Sequence, residues 1–143
     1  MPVSALEPYD DRNIFARILR GELPCRKVME DAFALAFHDI NPQAPVHVLV
    51  IPRGAYVSFA DFSARAEAEE IAGFFRTVGT VARQLSLEAP GYRIIANAGF
   101  DASQEVPHFH VHILAGRAFG HRLVPVVRAG AADPGAERDR KHR

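Results

Sequence analysis

Three histidines, His108, His110 and His112, alternate with apolar residues near the end of the chain. A β-strand points successive side chains to opposite faces, so a strand over residues 106–114 places all three imidazoles on one face. The apolar residues between them then enter the core. This fixes the register, because a slip of one residue would bury the histidines. Such a row of imidazoles indicates a functional site.

Phosphoryl transfer is the chemistry that suits this row best. A neutral imidazole is a good nucleophile near pH 7, since its unperturbed pKa is about 6.5. We expect His110, in the middle, to attack phosphorus and form a phospho-histidine that water then hydrolyses. His108 and His112 would fix its tautomer and supply positive charge to the phosphate oxygens.

A metal site is the alternative chemistry, because histidine is the commonest metal ligand. Alternate residues of a strand lie about 6.6–6.8 Å apart, so His108 and His112 would be about 13 Å apart and cannot share one ion. A metal would therefore need His110, one neighbour and ligands from elsewhere, such as His47. We expect neither a metal nor a cofactor here.

Hydrophobic spacing predicts an α+β domain whose helices lie on one side of an antiparallel sheet. Asp10 or Asp11 is expected to cap a short first helix. A long helix, capped by Asp61 or Ser63, is expected to run to about Ser86. The predicted strands cover residues 28–29, 33–37, 46–51, 92–96 and 106–114.

Composition indicates one globular domain without nucleic-acid or membrane partners. The chain has 143 residues, with 17 Lys or Arg and 17 Asp or Glu, so its formal net charge is zero. Cys25 is the single cysteine, and residues 1–11 lack the features of a secretory signal, which favours a cytoplasmic protein. We expect a loose leader (residues 1–12), a domain at 13–117, and an extension at 118–143 that is disordered from about residue 129.

The histidine motif resembles the signature of the histidine-triad (HIT) superfamily, His-x-His-x-His followed by two apolar residues. Residues 15–24 are similar to that family's opening helix and turn, and residues 36–52 to its ribose-binding stretch. Over residues 13–117 the chain resembles the HINT branch, the histidine-triad nucleotide-binding phosphoramidases. The resemblance implies a HIT-like fold with a five-stranded antiparallel sheet, one short and one long helix, and a homodimer formed through the long helix.

The resemblance also implies roles for individual residues. His110 matches the nucleophile that becomes nucleotidylated, with His108 and His112 as its partners and His47 as a supporting fourth histidine. Asp39, beside Ile40, matches the carboxylate that binds the ribose hydroxyls. The base pocket is matched by Phe15, Ile18, Leu23 and Phe37. The loop that contacts phosphate and leaving group is matched by Asn97, Ser103, Gln104 and Glu105.

Three positions differ from the family pattern. Ser103 stands where a glycine commonly precedes the glutamine, and Pro107 replaces an aromatic or aliphatic residue before the motif. Glu105 stands where some members have serine, which would change how the leaving group is protonated.

The implied activity is hydrolysis of nucleoside 5'-phosphoramidates, and of acyl-nucleotides, to a purine nucleoside monophosphate such as AMP. The third histidine argues against the nucleotidylyltransferase branch, where glutamine takes that position. Two alternatives stay open. One is a dinucleoside polyphosphate hydrolase, and the other is a non-catalytic nucleotide-sensing module that binds a partner through its tail.

Overall fold

A five-stranded sheet forms the centre of the computed structural model, which describes residues 1–125. The strands are β1 (Lys27–Glu30), β2 (Ala34–His38), β3 (Val46–Pro52), β4 (Arg93–Ile95) and β5 (Val111–Ala115). They lie in the spatial order β1-β2-β3-β5-β4, and every neighbouring pair is antiparallel. The predicted α+β class and five-stranded antiparallel sheet are confirmed. The disorder expected from about residue 129 concerns residues outside the described range.

The middle strand β3 is buried on both faces, as its nearly continuous apolar sequence predicts. Val48 and Val50 join the core beneath the helices that follow β3. Leu49 and Ile51 point to the opposite face and join a second cluster that contains Phe15 of the first helix. Helices therefore cover both faces, and the prediction that they share one side of the sheet is wrong. Within residues 1–125, no helix is both long and apolar enough to span a bilayer.

The first helix, α1 (Ile14–Leu19), begins one turn later than Asp10 or Asp11 would place it. Asn13 is its N-cap, and its side-chain oxygen accepts a hydrogen bond from the Ala16 N–H at 2.9 Å. Asp10 does not cap the helix, because its carboxylate binds the backbone and guanidinium of Arg12.

The single long helix expected after β3 is two helices, α2 (Phe59–Arg65) and α3 (Ala68–Gln84). The chain leaves helical geometry at Ala66, whose ψ is 144°. Glu67 then starts α3 through a reciprocal capping box with Glu70. Ser58, not Asp61 or Ser63, is the N-cap of α2, and its side chain accepts from the Asp61 N–H.

The helix α3 lies close against the β1–β2 turn. Thr77 of α3 donates a hydrogen bond to the Asp31 carboxylate at 2.6 Å. The same carboxylate accepts from the backbone N–H groups of Phe33 and Ala34. The ring of Phe33 packs directly on the backbone of Gly73, where a side chain would collide with it. This contact sets how closely the helix approaches the sheet.

We expect Gly73→Ala to lower the free energy of unfolding by about 1–3 kcal/mol, because the added methyl group overpacks the Phe33 contact. Gly79→Ala, in the same helix, is the matched control: its Cβ would meet only the mobile end of Arg83. There the loss of glycine flexibility should stabilise the protein by about 0.5–1 kcal/mol. Urea unfolding of both variants measures the difference, and equal stability of the two would contradict the packing account.

Candidate active site

The histidine segment is only partly a strand. The ladder of β5 starts at Val111, so His112 is the one histidine of the three that pairs with neighbouring strands. The preceding segment leaves the sheet because the Phe109 N–H donates to the Tyr56 carbonyl at 2.7 Å. The expected strand from residue 106 is therefore wrong at its start. The alternation still holds, since Phe109 and Val111 lie in the core beneath the helices.

His108 is fully buried and bonded at both ring nitrogens. Its Nε2 lies 2.9 Å from the carbonyl oxygen of Pro52, which can only accept, so Nε2 carries the proton. Its Nδ1 then accepts from the Tyr9 hydroxyl at 2.6 Å. Burial lowers the pKa of His108 to about 4. The ring is neutral near pH 7, and the expectation that it supplies positive charge to phosphate is wrong.

His110 is held in the tautomer that suits a nucleophile. Its Nδ1 donates to the backbone carbonyl of His108 at 2.7 Å, which leaves the lone pair on Nε2. The Phe15 ring meets it edge to face at a centroid distance of 5.0 Å. Burial lowers the pKa of His110, opposed by the His108 carbonyl and by Asp39, so the ring stays uncharged near pH 7.

His112 is oriented by a relay that starts at the backbone. The Gln43 N–H donates to His47 Nδ1 at 3.1 Å, so His47 carries its proton on Nε2 and donates to His112 Nδ1 at 2.8 Å. An oxygen of Asp39 lies 3.4 Å from the same His47 nitrogen. His112 therefore presents an Nε2–H donor. Burial, followed by the neighbouring rings of His110 and His47, lowers its pKa to about 4.

Asp39, His47 and His112 also have donor atoms within 4.8 Å of one another, a spacing that suits a metal ion. His110, which the sequence-based metal alternative required, is not in this group. The two facing ring nitrogens already share a hydrogen bond, and an ion would have to replace it. The group is therefore a hydrogen-bonded relay.

A cavity of about 390 Å³ opens beside these rings, a size suited to a small-molecule ligand. The predicted residues that line it are Phe15, Ile18, Phe37, Asp39, Ile40, Asn97, Ser103, Gln104, Glu105, His110 and His112. Leu23, His47 and His108 are not in the lining; the two histidines act from behind it. Sequence reasoning missed further lining residues, which are Ile14, Pro24, Cys25, His38, Asn41, Gln43, Leu49 and Val106.

Asp39 is held in the wall of this cavity by two contacts. One carboxylate oxygen accepts from the Asn41 N–H at 2.8 Å, and the other faces His47. Apolar side chains of α1 and β2 line part of the wall, and polar residues of the loop before the histidines line another part. Ile40, 88% exposed, stands at the mouth. An apolar cavity with a few fixed polar groups is typical of a small-molecule site.

The side chain of Gln104 braces the loop before the histidines. It is 1% exposed, accepts from the Gly99 N–H at 3.0 Å and donates to the carbonyl of Val57 at 2.6 Å and that of Val106 at 3.0 Å. These bonds use its amide on the backbone rather than on phosphate, the role that the resemblance implied. The preceding Ser103 has φ 57°, the left-handed region that favours glycine, which explains the glycine common at this position in the family.

The leader is not loose. The Val3 N–H donates to the Gln104 carbonyl, and the Ser58 hydroxyl donates to the Ala5 carbonyl, both at 2.8 Å. Tyr9 then reaches His108. Sequence reasoning missed Tyr9, because no local pattern links residues 99 positions apart.

A row of imidazoles beside a ligand-sized cavity, on an α+β sheet, defines a protein of the histidine-triad type. The model of the HIT domain matches residues 20–119. The chain belongs to the HIT domain family, and the predicted family is confirmed.

Curated relatives and solved structures support this family assignment. An uncharacterized 13.2 kDa HIT-like protein of Azospirillum brasilense is 63% identical over 122 residues, 85% of this chain and 97% of that protein. The purine nucleoside phosphoramidase of Escherichia coli K12 is 40% identical over 114 residues, 79% of this chain and 94% of that one. A HIT family hydrolase from Clostridium thermocellum superposes with a TM-score of 0.74 at 34% identity, covering 80% of this chain and 99% of that chain. For the histidine triad nucleotide-binding protein of Candida albicans, the TM-score is 0.69 at 28% identity, covering 91% and 92%.

The burial of His108 predicts a loss of stability on acidification. Its pKa is about 4 in the folded chain, against about 6.5 when unfolded, so the unfolded chain binds more protons between these values. The free energy of unfolding is therefore highest above pH 6.5 and decreases as the pH falls towards 4. For this ring the decrease is about 2–3 kcal/mol at pH 4.5. Urea unfolding at pH 7 and 4.5 should show a smaller change in His108→Gln than in the wild type. Equal changes in both proteins would contradict the assignment.

Proposed function

We propose that this chain is a hydrolase that cleaves nucleoside 5'-phosphoramidates, and acyl-nucleotides, to release a nucleoside monophosphate such as AMP. The observation that carries the proposal is the free lone pair on His110 Nε2, at the wall of a nucleotide-sized cavity. The name of the E. coli relative and the hydrolase among the structural neighbours support the same class. The proposal requires no metal or cofactor.

The proposed reaction proceeds in two displacements. His110 Nε2 attacks phosphorus, an N–P bond forms, and the bond from phosphorus to the leaving nitrogen breaks as that nitrogen takes up a proton from solvent. Water then attacks the nucleotidyl-histidine, the N–P bond breaks, and the water returns one proton to solvent and restores His110. The Nε2–H of His112 stabilises the charge that develops on the phosphate oxygens, and its orientation is fixed through His47.

The cavity suggests how the nucleotide lies. The base would fit between the apolar side chains of Phe15, Ile18 and Phe37, and Asp39 would accept from the ribose hydroxyls. The 5'-phosphate then reaches the two catalytic rings. Glu105 also belongs to the lining, with its side chain 63% exposed, and would face the leaving group.

We expect His110→Gln to lower kcat/KM on a fluorogenic adenosine phosphoramidate by at least about 10³-fold, because the nucleophile is lost. His121→Gln, an exposed histidine outside the cavity, is the control and should keep wild-type rates. Parallel assays on diadenosine polyphosphates distinguish the alternative hydrolase. If neither substrate is turned over while wild type and His110→Gln bind AMP alike, the chain is a nucleotide-sensing module instead.

We also propose a cytoplasmic homodimer whose interface involves α3 and the edge strand β4. Phe75 on α3, and Tyr92 and Ile94 at β4, expose apolar side chains, and the edge strand offers unpaired backbone groups.

Light scattering should give about twice the chain mass of 15.7 kDa. Ile94→Asp should shift the population towards the monomer, because it places a charge in the proposed interface. Leu6→Asp, at an exposed apolar residue on the leader, should leave the dimer intact. A wild-type protein that scatters only as a 15.7 kDa species would refute the dimer.

A further inference from the structure

One side chain of the leader, that of Tyr9, bonds a histidine of the row. The Tyr9 hydroxyl lies 2.6 Å from His108 Nδ1, and the two rings meet edge to face at a centroid distance of 5.6 Å. Because His108 Nε2 donates to Pro52, Nδ1 is the acceptor and the hydroxyl of Tyr9 must be the donor. Tyr9 is not part of the cavity lining, so it lies behind the site rather than in it.

We propose that Tyr9 is a positioning residue for the nucleophile and acts through His108. The contacts form one continuous chain. Tyr9 holds the ring of His108, and the backbone carbonyl of His108 accepts from His110 Nδ1–H at 2.7 Å. The last bond decides which nitrogen of His110 keeps its lone pair and where it points. The inference rests on the proposed function, because the direction of that nitrogen matters only if His110 attacks phosphorus.

The leader is anchored well enough to deliver Tyr9 to a fixed place. Val3 is bonded to the Gln104 carbonyl on one side of the site, and Ala5 is bonded to the buried Ser58 at the start of α2. After Tyr9 the chain turns into α1, where the Asn13 amide donates to the Asp10 carbonyl at 2.8 Å. Tyr9 is thus held from both sides along the chain.

Loss of the hydroxyl should affect the nucleophile, because within residues 1–125 Tyr9 is the only donor to His108 Nδ1. The residue is 0% exposed, so water does not replace the bond without rearrangement. A buried acceptor left unpaired is costly, and the ring is expected to shift to relieve it. The shift would move the His108 carbonyl and misdirect His110, and a small displacement of a nucleophile strongly reduces rate.

The kinetic test compares Tyr9→Phe with Tyr56→Phe on the fluorogenic phosphoramidate. Tyr56 is the matched control, because its hydroxyl also donates a hydrogen bond, to Glu70 at 2.8 Å, but outside the cavity. We expect Tyr9→Phe to lower kcat on the order of ten-fold. KM should stay within about two-fold, because Tyr9 does not contact the nucleotide. Tyr56→Phe should lower stability and keep kcat.

Tyr9→Leu separates the hydroxyl from the ring. If ring packing alone matters, Tyr9→Phe will match the wild type and only Tyr9→Leu will lose kcat, which overturns the proposal. An equal loss of kcat in Tyr9→Phe and Tyr56→Phe also overturns it, since the effect would then be general destabilisation.

Nitrogen-15 NMR of the histidine rings supplies a readout that stability alone does not move. In Tyr9→Phe the His108 Nδ1 resonance should move towards that of an unbonded ring nitrogen, and the His110 resonances should move with it. Unchanged His110 resonances would overturn the proposal. If the wild type turns over no phosphoramidate, the proposed function fails, while these resonances still decide whether Tyr9 positions His110.

Discussion

The hydrogen bond from His110 Nδ1 to the carbonyl of His108 is the constraint on which the site depends. A carbonyl oxygen only accepts, so this bond assigns the proton to Nδ1 and the lone pair to Nε2. The same argument fixes the tautomers of the neighbouring rings. The Pro52 carbonyl fixes the tautomer of His108, and the Gln43 N–H fixes that of His47. Backbone groups, which do not titrate, therefore set the tautomers of the site.

Burial also favours the neutral form of these rings. It lowers the pKa of His108 and of His112 to about 4, and it also lowers that of His110 and of His47. A nucleophile must be neutral to have a lone pair, so these shifts favour attack over phosphate binding by positive charge. Catalysis in this site would depend on oriented donors rather than on cationic histidines.

The sequence predicted the parts of the fold that strong patterns determine. The apolar run of β3 marked it as a central strand, and the alternation around His110 assigned the faces correctly although β5 begins only at Val111. Interactions that compete with local patterns were missed. Glu67 starts a second helix within one continuous periodic stretch, and the Phe109 N–H leaves the ladder to bond Tyr56.

The same distinction, between motif positions and contacts made only in the folded chain, applies to the candidate site. The family resemblance supplied most of the cavity lining, since motif positions and lining positions coincide along α1, β2 and the loop before the histidines. Gln104 was assigned to phosphate, but its amide lies among backbone groups that only the folded chain brings together. Tyr9 was missed for the same reason, because its partner is 99 residues away.

The most direct test of the account is to trap the covalent intermediate and locate it. A His112→Ala variant, mixed with adenosine phosphoramidate and quenched rapidly under denaturing conditions, should carry one nucleotidyl group by intact-mass analysis. Peptide mapping should place that group on His110, the ring whose free nitrogen faces the cavity. A nucleotidyl group on His108, or on any other residue, would contradict the account.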